Sequence, residues 1–254
     1  MGLCDGVVAV SSAVATRMSM RGIADGRIHV VKNGTIGTRR RPDPSELEAV
    51  QYPGRSIVVV GAVSQRKGSD VVLDAFSLIA NRYTDVHLYF VGNNDWPSVV
   101  EPYEDTEWVS RVHFEGFSAS PSRYMKSAYV VVSGSRRDPF PLVLLEAREI
   151  GVPIIGPRVD GIPEALDLGK AGMLYEREDC KQLAMSLERI LDDRVVRDEW
   201  AEASLSGSPF FSVSRMATDY TGVYESVLCT PVTSSMFTTA VSLVREAWMS
   251  RSPV

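Results

Sequence analysis

"SIVVVGAVSQRKGSDVVLDAFSLIANRY", residues 56–83, changes periodicity partway along its length. Its opening "SIVVVG" (56–61) is a continuous β-branched run instead of an apolar–polar alternation. A strand covered by apolar groups on both faces reads this way. "AVSQRKGS" follows as a turn, after which apolar residues recur at helical spacing through "DVVLDAFSLIANRY". A doubly covered strand that feeds a helix is the repeating unit of a parallel sheet with helices on both sides.

Toward the C-terminus the unit repeats. Strands are expected at "VHLYFVG" (86–92), "RVHFEG" (111–116), "YVVVSG" (129–134), "PIIG" (153–156) and "GMLY" (172–175). Helices are expected at "SRYMKSA" (122–128), over the apolar run that follows Pro141, and over 178–193, 195–206 and 212–228. The fold class is therefore α/β, a Rossmann-like parallel sheet of about six strands starting at residue 56. In such sheets ligands bind beyond the C-terminal strand ends, where the strand order reverses, which singles out the residues after Gly61, Gly92, Gly116 and Gly134.

Toward the N-terminus the pattern differs. "GVVAVS" (6–11) reads as a buried strand, "SAVATRMSMRG" (12–22) as a helix and "RIHVVKNG" (27–34) as a strand ending in a turn. "TRRRPDPSELEAVQYPG" (38–54) reads as linker plus a short helix. A boundary near residue 37 divides the chain into 1–37, a main domain 38–228, and a C-terminal helical tail 229–254. The 1–37 segment is expected to fold outside the main sheet, and an unpartnered N-terminal strand would favour self-association.

Apolar content of 44% and charged content of 23% over 254 residues are those of a globular protein. A net charge of −5 argues against a nucleic-acid-binding surface, and Arg39, Arg40 and Arg41 read as a solvated linker. Cys4, Cys180 and Cys229 are odd in number and lack metal-type spacing, which suits a reducing compartment. His29, His87 and His113 lie in separate apolar runs and are read as strand residues, not metal ligands. The N-terminus lacks the pattern of a signal peptide. The uncharged stretch 226–244 carries Pro231 and many hydroxyl residues, so it is expected to pack on protein instead of spanning a membrane. The expected location is the cytoplasm or a membrane periphery.

Two segments carry the chemistry. The turn "GAVSQRKG" (61–68) has neither the phosphate-loop spacing nor a G-x-G-x-x-G, yet a helix beginning near Gly68 beside Lys67 makes an anion site. The second segment is "SRRDPFPLVLLEAREIGVPIIG" (135–156), with Asp138 before the helix and Glu146 on it. Asp138 could cap the helix and Glu146 could be a solvated charge. Alternatively both acids face a polyhydroxylated ligand, with carboxylate hydrogen bonds to hydroxyls contributing roughly 1.5–3 kcal/mol each. Glu146 would then reach a vicinal diol such as a ribose, and the Phe140–Val143 amides would meet pyrophosphate oxygens. No Asp-x-Asp pair, nucleophile elbow or Ser/His/Asp set is present, so no metal and no cofactor is expected.

In order and spacing these pieces resemble the C-terminal half of retaining glycosyltransferases of family 4, two-domain enzymes of the GT-B fold. The family's "G-R-x4-K-G", "P-S-x2-E-x-F-G-L-x3-E-A" and "G-G-x-P-E" stand here as "GAVSQRKG", "GSRRDPFPLVLLEA" and "DGIPEAL". The likeness extends from about residue 4 to 228. It implies a nucleotide-diphosphate sugar as donor, an unidentified acceptor, and sugar transfer with retention and without a metal. Gly61 and Lys67 would stand at the donor diphosphate, Asp138 at the donor sugar as the catalytic acid. Phe140, Pro141, Leu142 and Val143 would offer backbone to sugar and phosphate, Glu146 would bind ribose hydroxyls, and Phe117 would lie along the base. Three departures bear on the donor. Ala62 replaces an arginine, Asp138 a glutamate and Pro141 a glycine. The resemblance makes 1–37 the last part of an acceptor-binding domain. The chain would then be a fragment, one chain of a two-chain enzyme, or a non-catalytic nucleotide-sugar-binding module.

Overall fold

The computed structural model describes residues 5–35 and 48–229. Six strands form one parallel sheet: β3 (Arg55–Val60), β4 (Val86–Val91), β5 (Val112–Gly116), β6 (Val130–Val132), β7 (Ile154–Pro157) and β8 (Met173–Tyr175). Their order is β5-β4-β3-β6-β7-β8. The chain moves outward from β3 to β5, returns to the other side of β3 at β6, and moves outward again to β8.

The continuous apolar run of β3 is explained by two core layers. Ile57 and Val59 point into one, with Leu88 and Phe90 of β4 and Val130 and Val132 of β6. Val58 points into the other, with Tyr89, Val91 and Val131. The first layer is closed by α2 (Ser69–Ile79) and α6 (Cys180–Asp192). The second is closed by α3 (Ser122–Lys126), α4 (Leu142–Ile150) and the short α5 (Ile162–Ala165). Both faces of every central strand are thus removed from water, as parallel sheets require. Helix α7 (Arg194–Leu205) flanks α4 through fully buried Arg148, which donates to the carbonyls of Ala165 at 2.7 Å, Ser204 at 3.0 Å and Ser206.

Before the main sheet, β1 (Val7–Ala9), α1 (Ser12–Met20) and β2 (Ile28–Val30) form a β-α-β unit. Its strands pair in parallel with each other and not with the six-stranded sheet. The expectation of a buried first strand needs correcting, because Val7 and Val8 are only half-buried in this two-stranded sheet. The unit docks on the body through Thr35, which bridges Ser212 at the start of α8 (Val213–Cys229). Arg215 of α8 donates to the carbonyls of Lys32 at 2.8 Å and Asn33 at 3.0 Å.

Two features were not legible in the sequence. Residues 97–111 form 3₁₀ turns, Pro97–Tyr103 and Glu107–Arg111, which bring Trp108 edge-on to Phe76 of α2. His87 and His113 meet across β4 and β5, with Nδ1 and Nε2 2.9 Å apart and the rings stacked. Burial holds the pKa of each below the usual histidine value. The boundary near residue 37, the basic run 39–41 and the tail after Cys229 lie outside the described residues.

Candidate functional site

The strand order reverses between β3 and β6, and the crevice at their C-terminal ends is the site that the fold itself favours. Gly61 and Lys67 line it from the β3 side, Ser135 and Asp138 from the β6 side, and Pro141 and Val143 from the start of α4. The backbone closes tightly beneath it. Gly68, left-handed at φ 62°, N-caps α2 where a Cβ would come within 1.9 Å of the Gly134 carbonyl oxygen. Only a residue without a Cβ lets the two turns approach this closely.

Lys67 and Asp138 join across the crevice, with Lys67 Nζ 2.7 Å from Asp138 Oδ2. The space left between the lining residues is about 20 Å³, room for little more than one water. Asp138 is 7% exposed and does not cap the helix. Pro141 occupies the N-cap position of α4 and provides no side-chain cap. The first-turn N–H groups of this nine-residue helix, which have no intrahelical acceptors, thus have no side-chain cap either, and the helix start lines the same crevice as Lys67 and Asp138. Lys67 and the start of α4 line one crevice, and a cation near a helix N-terminus is an arrangement that favours an anion.

The remaining expected residues divide into two groups. Val143 and Pro141 line the crevice, and Leu142 is 46% exposed at the helix start. Phe140 does not line it. The Phe140 ring is buried against Phe211, at 5.7 Å between centroids, and its carbonyl accepts from Asn33 Nδ2 at 3.1 Å. Phe117 stands 77% exposed just beyond β5, away from the crevice lining. Glu146 lies one turn along α4, half-buried and without a hydrogen bond or ion pair among the described residues. Burial, reinforced by the neighbouring Glu149 carboxylate, pushes its pKa up. A partly dehydrated, unpaired carboxylate is neither a helix cap nor a solvated surface charge.

Sequence reasoning missed the contacts that "DGIPEAL" makes with α1. Glu164 of α5 accepts from Ser12 Oγ at 3.1 Å and from the Ala13 amide at 3.2 Å, and pairs with Lys32 at 3.2 Å. Burial alone would raise its pKa, but the hydrogen bonds from the Ser12–Ala13 turn and the Lys32 ammonium outweigh it. The carboxyl therefore titrates below its usual range. Asp160 pairs with Arg17 of α1 and accepts from the Asp138 amide at 3.0 Å. The available signal was Asp160 itself, which stands where the resembled pattern has glycine. Among the described residues no group of three or more His, Cys, Asp or Glu side chains could hold a metal ion. Nor is any helix there long and apolar enough to cross a membrane.

The chain is similar to the D-inositol 3-phosphate glycosyltransferase of Corynebacterium diphtheriae, at 28% identity over 200 residues, covering 75% of this chain and 47% of that protein. It is similar to the phosphatidyl-myo-inositol mannosyltransferase of Mycobacterium leprae, at 26% identity, covering 87% of this chain and 59% of that one. The chain thus spans about half the length of the curated relatives it matches. Among solved structures, Anabaena HepE in complex with UDP and glucose superimposes with a TM-score of 0.72 at 20% identity, covering 89% of this chain and 63% of that one. A glycosyltransferase from Rickettsia africae superimposes with a TM-score of 0.78 at 18% identity, covering 89% and 64%. These structures share the Rossmann-like α/β fold of the C-terminal half of a GT-B glycosyltransferase. Residues 54–193, the six-stranded sheet with its crevice, match the model of glycosyl transferases group 1, and the chain belongs to that family.

Proposed function

We propose that this chain is the donor-binding part of a retaining, metal-independent glycosyltransferase of family 4. The crevice would receive a nucleotide-diphosphate sugar, and UDP-glucose is the first donor to try because the Anabaena relative was solved with UDP and glucose. The observation that carries the reading is Lys67 beside the uncapped N-terminus of α4 at the switch point. Lys67 and the α4 amides would neutralise the diphosphate in place of a metal, and no further cofactor is needed. Glu146, unpaired and half-buried, is suited to accept from ribose hydroxyls, and Phe117 to lie along the base. Asp138 would face the donor sugar, where positive charge develops as the glycosidic bond breaks. The acceptor would be held by a further domain, in the same chain, in a partner chain or in a second copy.

One observation favours a second reading, a nucleotide-sugar-binding module without turnover. Ala62 lines the crevice where the resembled pattern has an arginine, so one bidentate phosphate donor is missing. Calorimetric titration with UDP and UDP-glucose tests the site. Lys67→Ala and Glu146→Ala should each weaken binding about tenfold to a few hundredfold, from the loss of one or two charge-assisted hydrogen bonds. Unchanged affinity in both variants would refute the site. A chain that binds the donor, yet neither hydrolyses it nor transfers its sugar when supplied with an acceptor domain, would favour the module.

A further inference from the structure

The backbone of Asp138 is gripped on both sides of its Cα by one turn. Its amide donates to Asp160 Oδ2 at 3.0 Å, and its carbonyl accepts from the Gly161 amide at 3.2 Å. The fit is close, since a Cβ on Gly161 would come within 2.0 Å of the Pro139 carbonyl oxygen. Asp160 occupies the left-handed region at φ 47°, where a non-glycine residue is strained unless its surroundings hold it. What holds it is its second carboxylate oxygen, Oδ1, which takes the Arg17 guanidinium of α1. Both Asp160 oxygens are thus used, and its side chain is only 12% exposed.

We infer that Asp160 is a positioning residue for Asp138, and that Arg17 ties this position to the β1-α1-β2 unit. One carboxylate links a guanidinium on α1 to the backbone of the acid whose side chain meets Lys67. Four residues further on, Glu164 anchors the same turn to Ser12, Ala13 and Lys32. The N-terminal unit therefore holds the 160–164 turn at two points, and the turn holds Asp138. A shift of α1 relative to the sheet is transmitted to the crevice through this contact. The placement of Asp138 is geometric; only its consequence for turnover rests on the donor reading above.

The test is hydrogen exchange on the intact chain without ligand, followed by donor hydrolysis. The peptide 136–141 carries few exchangeable amides because residues 139 and 141 are prolines. Beyond its first residue only Arg137, Asp138 and Phe140 contribute, and a change at Asp138 is a large part of its signal. Asp160→Gly and Arg17→Met should speed its exchange about two- to tenfold, the range for loss of one hydrogen bond. Arg17→Lys should stay close to wild type. Asp160→Asn, which keeps an acceptor of the same shape, should fall between and covers the case in which the glycine variant folds poorly. Peptides from β3 and β4 should not change. With UDP-glucose as donor, kcat for hydrolysis should fall in Asp160→Gly and Arg17→Met while KM holds, and Arg17→Lys should recover kcat. Unchanged exchange in 136–141 for Asp160→Gly and Asp160→Asn would overturn the inference, whatever happens to kcat. A wild-type chain that binds no UDP-glucose would overturn the donor reading, leaving the exchange result to decide the clamp.

Discussion

Lys67 Nζ and Asp138 Oδ2 lie 2.7 Å apart, although their residues are 71 positions apart in the chain. Each is the other's charge partner, and both line the crevice between β3 and β6. An anionic ligand at the Lys67 ammonium would compete with Asp138 for its three N–H donors.

Asp138→Asn should separate these roles. Lys67 loses its carboxylate partner, so affinity for UDP should stay unchanged or tighten a few-fold in calorimetry. On the proposed reading the charge facing the sugar is lost, so donor hydrolysis should fall about a hundredfold or more. Full hydrolytic activity in the variant would remove Asp138 from the chemistry.

Glu146 should show a conflict between stability and binding. Its pKa is raised above the ordinary 4.5 by burial and by Glu149, so the fold favours the protonated form. The stability this contributes is present below pH 4.5 and lost as pH rises through the raised value. Glu146→Gln should therefore melt higher than wild type at pH 7, with the difference vanishing in acid. The same variant should bind UDP more weakly. Equal melting temperatures across the pH range would show that the carboxylate is solvated.

Glu164 has the opposite sign. Its pKa is depressed by the Ser12–Ala13 turn and Lys32, so its contribution is present above the ordinary 4.5 and lost as pH falls through the lowered value. Acidification below that range should loosen α1 from the body before the six-stranded sheet unfolds. Faster hydrogen exchange across residues 12–20 at low pH, absent across 86–91, would be the signature. Glu164→Ala should show the α1 loosening already at pH 7.

Arg148 is predicted to matter for stability alone. It satisfies three carbonyls and lies over the Phe211 ring, 5.1 Å from its centroid. Arg148→Met keeps much of the volume but strands those acceptors. At roughly 1–3 kcal/mol for each buried polar group left unsatisfied, the loss should be about 3 kcal/mol or more. Urea unfolding should report it, and an unchanged midpoint would mean that the three carbonyls find water.

Local periodicity determined the strands, the helices and their alternation, because each depends on neighbours within a few residues. The β-branched run at 56–60 required cover on both faces, and Ile57, Val58 and Val59 have it. The parallel sheet followed, and with it four candidate strand ends, after Gly61, Gly92, Gly116 and Gly134, between which only the observed strand order chooses. Sequence spacing could not say whether Asp138 would cap α4 or face Lys67, because that depends on how the β3 turn and the β6 turn meet. Gly68 and Gly134 decide it by allowing backbone contact there. Nor could the sequence reveal that Phe140 turns inward to Phe211, or that His87 and His113 pair across adjacent strands. The Arg17–Asp160–Asp138 connection was equally hidden, since its members are 143 and 22 positions apart. Periodicity fixes which face of an element is apolar, whereas contacts between polar groups distant in the chain exist only once the layers have packed.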